Sequence, residues 1–155
     1  MMSGWFKNCL TIIIIVNLGY GFWLSVTAAD ADQNDPGRIA LGRSIYQQNC
    51  ASCHGVKLEG QPDWRSQKPD GKLPAPPHDA SGHTWHHPDN ILLGIVKEGT
   101  AAIIGQGYKS DMPGFKDLLS DEEILTALEF IKSDWPERQR KYQERRSEQA
   151  REVEK

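Results

Sequence analysis

The chain has 155 residues, a formal net charge of −3 and 38% hydrophobic residues. This length accommodates one small domain with short extensions, and so mild a charge gives no support for a strongly charged partner. Outside a mixed-charge C-terminal tail there is no basic stripe, which excludes a nucleic-acid-binding protein on electrostatic grounds.

The N-terminal residues 1–29 form an apolar targeting segment. Lys7 is the last charged residue before Asp30, and residues 10–29 approach the length of about 20 that a membrane-spanning helix needs. Aromatic residues near the outer end favour an uncleaved anchor, whereas residues 26–28 would suit cleavage of a signal peptide. We favour the anchor. In both cases the charge placement predicts that the chain after Asp30 lies on the periplasmic side of the cytoplasmic membrane.

A short polar linker, residues 30–35, is predicted to lead into a single domain over residues 36–136. Asp35 as N-cap and Pro36 at the first helical position are typical of the start of a helix. Apolar residues follow at mixed helical spacing. Within them, Gly42 offers a flat surface where another helix can approach closely.

The first predicted helix leads into Cys50-Ala-Ser-Cys53-His54, a C-x-x-C-H motif. Two thiols on one turn can bond to the vinyl groups of a haem, and the adjacent histidine can then ligate the iron. The alternative is a redox-active or metal-binding C-x-x-C that happens to precede a histidine. We therefore predict one haem c with its iron, attached to Cys50 and Cys53, with His54 as the proximal ligand.

Prolines and glycines interrupt every regular pattern between Val56 and Pro88. A loop of this length inside a small domain usually covers something, and here we expect it to cover a haem edge. The second ring nitrogen of His54 needs an acceptor that fixes the ring. A backbone carbonyl within residues 73–77 is the expected partner.

The same loop carries histidines and tryptophans with several candidate roles. The histidines could hold a second metal such as copper, supply a rival sixth iron ligand, or hydrogen-bond to backbone or haem propionates. They are His78, His83, His86 and His87. The indoles of Trp64 and Trp85 could donate to a propionate or pack on the haem rim.

Two further helices are predicted in the domain. One runs from Asp89, as its N-cap, to Gly99, and the other starts at a Ser120–Glu123 capping box and ends at Trp135-Pro136. Residues 137–155 form a tail of alternating charges that we interpret as a solvated helix. Because no strand pattern appears, the predicted fold class is all-α.

Met112 lies between these two helices in a stiff Asp-Met-Pro-Gly-Phe loop, and it is the only methionine apart from the two at the N-terminus. We predict that its thioether is the sixth iron ligand, the alternative being a core methionine. A Met/His pair raises the reduction potential and closes both axial positions, which suits outer-sphere electron transfer.

In this order the residues resemble the class I, cytochrome c-like, bacterial monohaem cytochromes. The matching pattern is Gly42-x-x-x-Tyr46-x-x-x-Cys50-Ala-Ser-Cys53-His54-Gly55, then Met112-Pro113, then a helix with Leu128-x-Phe130. The resemblance covers about residues 36–135. It implies three or more helices around one haem with an exposed edge, and a helix crossing between Gly42 and Phe130 or, alternatively, Trp135. The long loop and the charged tail depart from the family pattern.

We therefore predict a monohaem c-type cytochrome that is not an enzyme. It would carry single electrons between donor and acceptor proteins on the periplasmic side of the membrane, either anchored or secreted. The alternatives are a cytochrome subunit of a larger oxidoreductase complex, a haem protein with an open ligand-binding face, and a copper-associated protein that uses the histidine-rich loop.

Overall fold

The computed structural model describes residues 35–153, and in this range the regular structure is entirely helical, as predicted. The helices are α1 (Pro36–Asn49), α2 (Ala51–His54), α3 (Asp89–Glu98), α4 (Thr100–Ile104), α5 (Asp121–Ser133) and α6 (Glu137–Val153), with a short 3-10 helix at Thr84–His86. None of the helices in the described range is long and apolar enough to cross a membrane. The predicted targeting segment, residues 1–29, and nearly all of the linker lie outside the described residues.

Helix α1 begins as the sequence predicts. The side chain of Asp35 accepts a hydrogen bond from the backbone N–H of Gly37 at 3.0 Å, and Pro36 occupies the first helical position. At the other end, the N–H of Cys50 donates to the carbonyl of Tyr46 at 2.8 Å. The helix therefore delivers the chain directly to the C-x-x-C-H turn.

Helices α1 and α5 cross at Gly42. A Cβ atom at this position would lie 2.2 Å from the backbone oxygen of Thr126 and 3.0 Å from the Cβ atom of Phe130. The predicted crossing between Gly42 and Phe130 is thus confirmed. Trp135, the alternative partner, is buried beyond the end of α5 and donates its indole N–H to the carbonyl of His78 at 2.7 Å.

The core joins α1, α2, α3, α5 and the long loop. Its buried members are Tyr46, Ala51, Leu58, Leu92, Ile124, Leu128, Phe130, Ile131 and Trp135. Cys50 and Trp85 are partly buried and pack against this cluster. The same core therefore supports both the C-x-x-C-H turn and the end of the loop.

The predicted start of α5 is confirmed, and the predicted N-cap of α3 is wrong. At α5, Ser120 and Glu123 form the reciprocal capping box. At α3, Pro88 is the N-cap and Asp89 is the first helical residue. The carboxylate of Asp89 pairs with Lys132 of α5, so it does not cap its own helix.

Two short elements were not predicted. The 3-10 helix Thr84–His86 interrupts the long loop, and α4 follows α3 after a sharp turn at Gly99. Gly99 has φ +88°, a backbone conformation that favours glycine. Helix α4 begins directly after this turn and contacts α3.

The tail forms helix α6 after a break at Trp135-Pro136, as predicted. The expectation of a solvated helix is wrong for one face of α6, since Gln143 and Ser147 are 2% and 3% exposed. Their polar side chains are buried because they hydrogen-bond to Asp89 at the start of α3.

Candidate functional site

The predicted haem-binding residues share one helical turn at the junction of α1 and α2. The N–H groups of Cys53 and His54 lie 3.1 Å and 3.0 Å from the carbonyl oxygen of Cys50. Both cysteines are free thiols, Cys50 partly buried and Cys53 exposed. The turn therefore carries two free thiols and the adjacent histidine.

The buried environment of Cys50 does not activate its thiol. Burial, with a smaller contribution from Cys53, raises the pKa of the Cys50 thiol to about 11. Redox-active C-x-x-C motifs depend on a thiol pKa that is lowered, so that the thiolate is present at neutral pH. Cys50 has the opposite property.

The ring of His54 is oriented by the long loop. Its Nδ1 atom lies 2.8 Å from the carbonyl oxygen of Pro76, which confirms the expected acceptor within residues 73–77. Because a carbonyl only accepts, Nδ1 carries the hydrogen and Nε2 keeps the lone pair that a metal requires. Burial lowers the pKa of His54, with the Pro76 carbonyl opposing, which favours the neutral ring.

Two supports of this turn were not anticipated. The ring of His78 stacks on that of His54 with centroids 4.0 Å apart, and its Nδ1 atom lies 2.8 Å from the Oγ1 atom of Thr84. The hydroxyl of Tyr46 donates to the carbonyl of Gly55 at 2.8 Å. The only sequence signal for the first support was the density of histidines in the loop, which does not say which ring faces His54.

Met112 lies in a separate loop and is half-buried. Its Sδ atom accepts a hydrogen bond from the Oγ1 atom of Thr100 at 3.2 Å, and its N–H donates to Ser110 Oγ at 3.1 Å. A thioether sulfur that accepts one hydrogen bond retains a second lone pair. These hydrogen bonds attach Met112 to the start of α4 and to the neighbouring Ser110, and they do not reach residues 50–54. No pattern in the sequence signals the contact with Thr100.

The methionine loop, residues 111–115, is held at both ends. The N–H of Phe115 donates to the last turn of α3 at 3.0 Å. Asp111 forms ion pairs with Lys68 and Lys72 of the long loop. These contacts limit the positions that the methionine side chain can reach.

Trp85 provides a test of whether the site fits a haem. Its Nε1 atom is buried and has no hydrogen-bond partner within residues 35–153. A buried donor without an acceptor costs about 1–3 kcal/mol, so an acceptor from outside the polypeptide is expected here. Trp85 follows Thr84, which is bonded to the histidine stacked on His54. A haem propionate meets this requirement, and the residues present fit a covalently bound haem.

The remaining loop side chains do not form a second metal site. His83 stacks on Trp64 with ring centroids 5.3 Å apart, whereas His86 packs on Trp85 at 3.7 Å. Within residues 35–153, no group of three or more His, Cys, Asp or Glu side chains is arranged to hold a metal ion. The copper alternative thus finds no supporting geometry in the described part of the chain.

Comparison with known proteins agrees with this geometry. A sequence profile described as cytochrome c matches residues 39–135. The chain is 40% identical over 117 residues to cytochrome c-555 of Prosthecochloris aestuarii, an alignment that covers 69% of this chain and 95% of that protein. It is 30% identical over 112 residues to cytochrome c-551 of Bacillus subtilis (strain 168), covering 64% and 94%. No solved structure matches the chain.

The matched range includes the C-x-x-C-H turn, the methionine loop and the crossing of α1 with α5, and it ends before α6. It spans more than half of the chain. The chain therefore belongs to the cytochrome c family of electron-transfer proteins, whose cofactor is covalently bound haem c with its iron.

Proposed function

We propose that this chain is a monohaem c-type cytochrome that carries single electrons between a donor and an acceptor protein on the periplasmic side of the cytoplasmic membrane. Cys50 and Cys53 hold the haem, and His54 and Met112 are its axial ligands. One observation carries the proposal. The Nδ1 atom of His54 is committed to Pro76 at 2.8 Å, which leaves Nε2 for iron beside two free thiols. The bound haem supplies an iron that takes up and releases one electron.

The protein's own residues keep both proposed ligands in place. The carbonyl of Pro76 and the stacked ring of His78 fix the plane of the His54 ring. The Thr100 hydroxyl orients the sulfur of Met112. Because such supports fix ligand orientation in both oxidation states, the protein has little to rearrange when an electron moves.

Trp85 is the proposed donor to a haem propionate. Its indole N–H is buried without a partner in the described residues, and donation to a carboxylate would satisfy it. Trp64, the other tryptophan considered for this role, stacks on His83 and lies under the guanidinium of Arg65 at 4.0 Å. The structure therefore favours Trp85 over Trp64.

The proposed location rests on the N-terminal sequence. The charge of Lys7 precedes an apolar segment and the acidic linker follows it, an arrangement that leaves the domain outside the cytoplasm. Attachment of haem to a C-x-x-C-H motif outside the cytoplasmic membrane agrees with this placement. We propose that the segment anchors the domain, or directs it to the periplasm if it is cleaved.

The test is a visible absorption spectrum of the full chain matured in a periplasm, oxidised and reduced, with and without CO. Low-spin bands that CO leaves unchanged are expected, because both axial positions are filled. A spectrum that shifts when CO is added would reject Met112 ligation and would favour a ligand-binding haem protein.

A further inference from the structure

Helix α6 lies outside the range that matches the cytochrome c family, yet it is built into the domain. Its composition is highly charged, and a helix of this kind is ordinarily solvated. Two of its polar residues are nevertheless buried, Gln143 at 2% and Ser147 at 3% exposure. Buried polar side chains normally form hydrogen bonds, so the partners of Gln143 and Ser147 identify the part of the domain to which α6 is attached.

The first attachment is a polar contact with the start of α3. Gln143 Nε2 lies 2.6 Å from the Oδ1 atom of Asp89 and 3.3 Å from the carbonyl oxygen of His87. The N–H of Asp89 donates to the Oγ atom of Ser147 at 3.0 Å. The N-cap of α3, Pro88, makes no capping hydrogen bond, so α6 supplies an acceptor that α3 lacks.

The second attachment is aromatic and lies at the other end of the same segment. The ring of Tyr142 meets the ring of Trp85 edge to face, with centroids 5.5 Å apart, and meets that of His86 at 5.9 Å. Such pairs stabilise by about 0.5–1.5 kcal/mol beyond the area they bury. Residues 85–89 are thus held by α6 at both of their ends.

We infer that α6 is a strap that positions Trp85 at the haem site, with Tyr142 and Gln143 as its positioning residues. The inference rests on the proposed function, since it takes the indole of Trp85 as the donor to a propionate. Both residues contact the segment 85–89. Each acts through the segment that carries Trp85.

The test compares the full-length holoprotein with its Tyr142→Ala and Gln143→Ala variants. Gln149→Ala is the matched control, because Gln149 is an exposed glutamine on the same helix. Hydrogen exchange followed by mass spectrometry reports the backbone of residues 84–92. We expect exchange there to be about tenfold faster in both variants and unchanged in the control. In the variants the segment can open locally without first breaking its contacts with α6.

The reduction potential is the second measurement. It would stay unchanged if α6 only stabilised the fold and did not position Trp85. Tyr142→Ala and Gln143→Ala should lower the potential, because a propionate that loses its donor leaves more negative charge near the iron. Trp85→Phe should lower it as well. Gln143→Ala should then add no further shift in the Trp85→Phe background, since the two residues act in series.

A full additional shift in the Trp85→Phe background would overturn the inference, as would faster exchange with an unchanged potential. Exchange of residues 84–92 that stays at the wild-type rate would show that α6 does not hold this segment. Failure of the proposed function gives a different result. If CO binds to the wild-type protein, the axial assignment fails, while the exchange comparison still reports whether α6 is a strap.

Discussion

At the residue scale, single hydrogen bonds orient the side chains of His54 and Met112. His54 donates from Nδ1 to Pro76, and the sulfur of Met112 accepts from Thr100. Each bond occupies one position on the side chain and leaves a lone pair that, under the proposed function, binds the iron. The burial that lowers the pKa of His54 also keeps the ring neutral, which is the form that binds iron.

Replacing Met112 by alanine should lower the reduction potential and let CO bind to the reduced protein. The physical reason is that Met/His ligation raises the potential, and removal of the thioether opens one axial position. Potentiometry and CO difference spectra measure the two effects. Leu118→Ala is a suitable control, because Leu118 follows the methionine loop and is 67% exposed. An unchanged potential in Met112→Ala would rule out this ligand.

Replacing Cys53 by alanine should leave little or no holoprotein, because the second thioether bond is lost and the thiol has no substitute in the turn. Haem content after periplasmic expression, measured by a haem stain of the denatured protein, checks this. Ser52→Ala changes the exposed neighbour of Cys53 and should retain normal haem content. Equal haem in the two variants would contradict attachment at Cys53.

The packing of α1 against α5 depends on the absence of a side chain at Gly42. A Cβ atom there would lie 2.2 Å from a backbone oxygen of α5, which cannot move without shifting the helix. Since this crossing lies beside Tyr46 and Phe130 in the core, its geometry also sets where α1 delivers Cys50.

Gly42→Ala should therefore destabilise the holoprotein by about 1–3 kcal/mol, the usual cost of overpacking, despite the better helix propensity of alanine. Thermal unfolding followed by circular dichroism should show a Tm lower by about 4–8 °C for each kcal/mol. Gly37→Ala is the matched control on α1, because a Cβ atom there meets nothing closer than 3.5 Å. A Tm for Gly42→Ala equal to that of the control would exclude a close crossing.

At the scale of the whole molecule, α6 brings Arg146 close to His87 of the long loop. Burial lowers the pKa of His87, and nearby His86 and Arg146 lower it further. A group whose pKa is lower in the folded state contributes stability while it is neutral, above its unfolded value of about 6.5. That contribution is lost as the pH falls below this value towards the folded pKa.

We therefore expect the Tm of the holoprotein to fall between about pH 7.5 and pH 5.5, and to fall less steeply in His87→Gln. Thermal unfolding at several pH values in this range measures both slopes. Burial also lowers the pKa values of His78 and His83, so a residual slope should remain in the variant. Identical slopes in the two proteins would show that protonation of His87 does not contribute.

Local patterns alone were enough to identify much of this protein. The C-x-x-C-H motif, the Asp35-Pro36 start, the capping box at Ser120 and the stop at Trp135-Pro136 depend on neighbours within a few residues, so the sequence contains all the information they need. The crossing at Gly42 was also predictable, because a resemblance to known cytochromes indicated the partner helix.

Contacts between residues far apart in the chain were decided only by the tertiary structure. They include the choice of Pro76 as acceptor for His54, the stacking of His78, and the burial of one face of α6. The error at Asp89 has the same origin, since its carboxylate is taken by Lys132 and Gln143 and so does not cap α3. Local sequence specifies what a polar group can bond to. The fold determines which distant group lies within bonding distance of it.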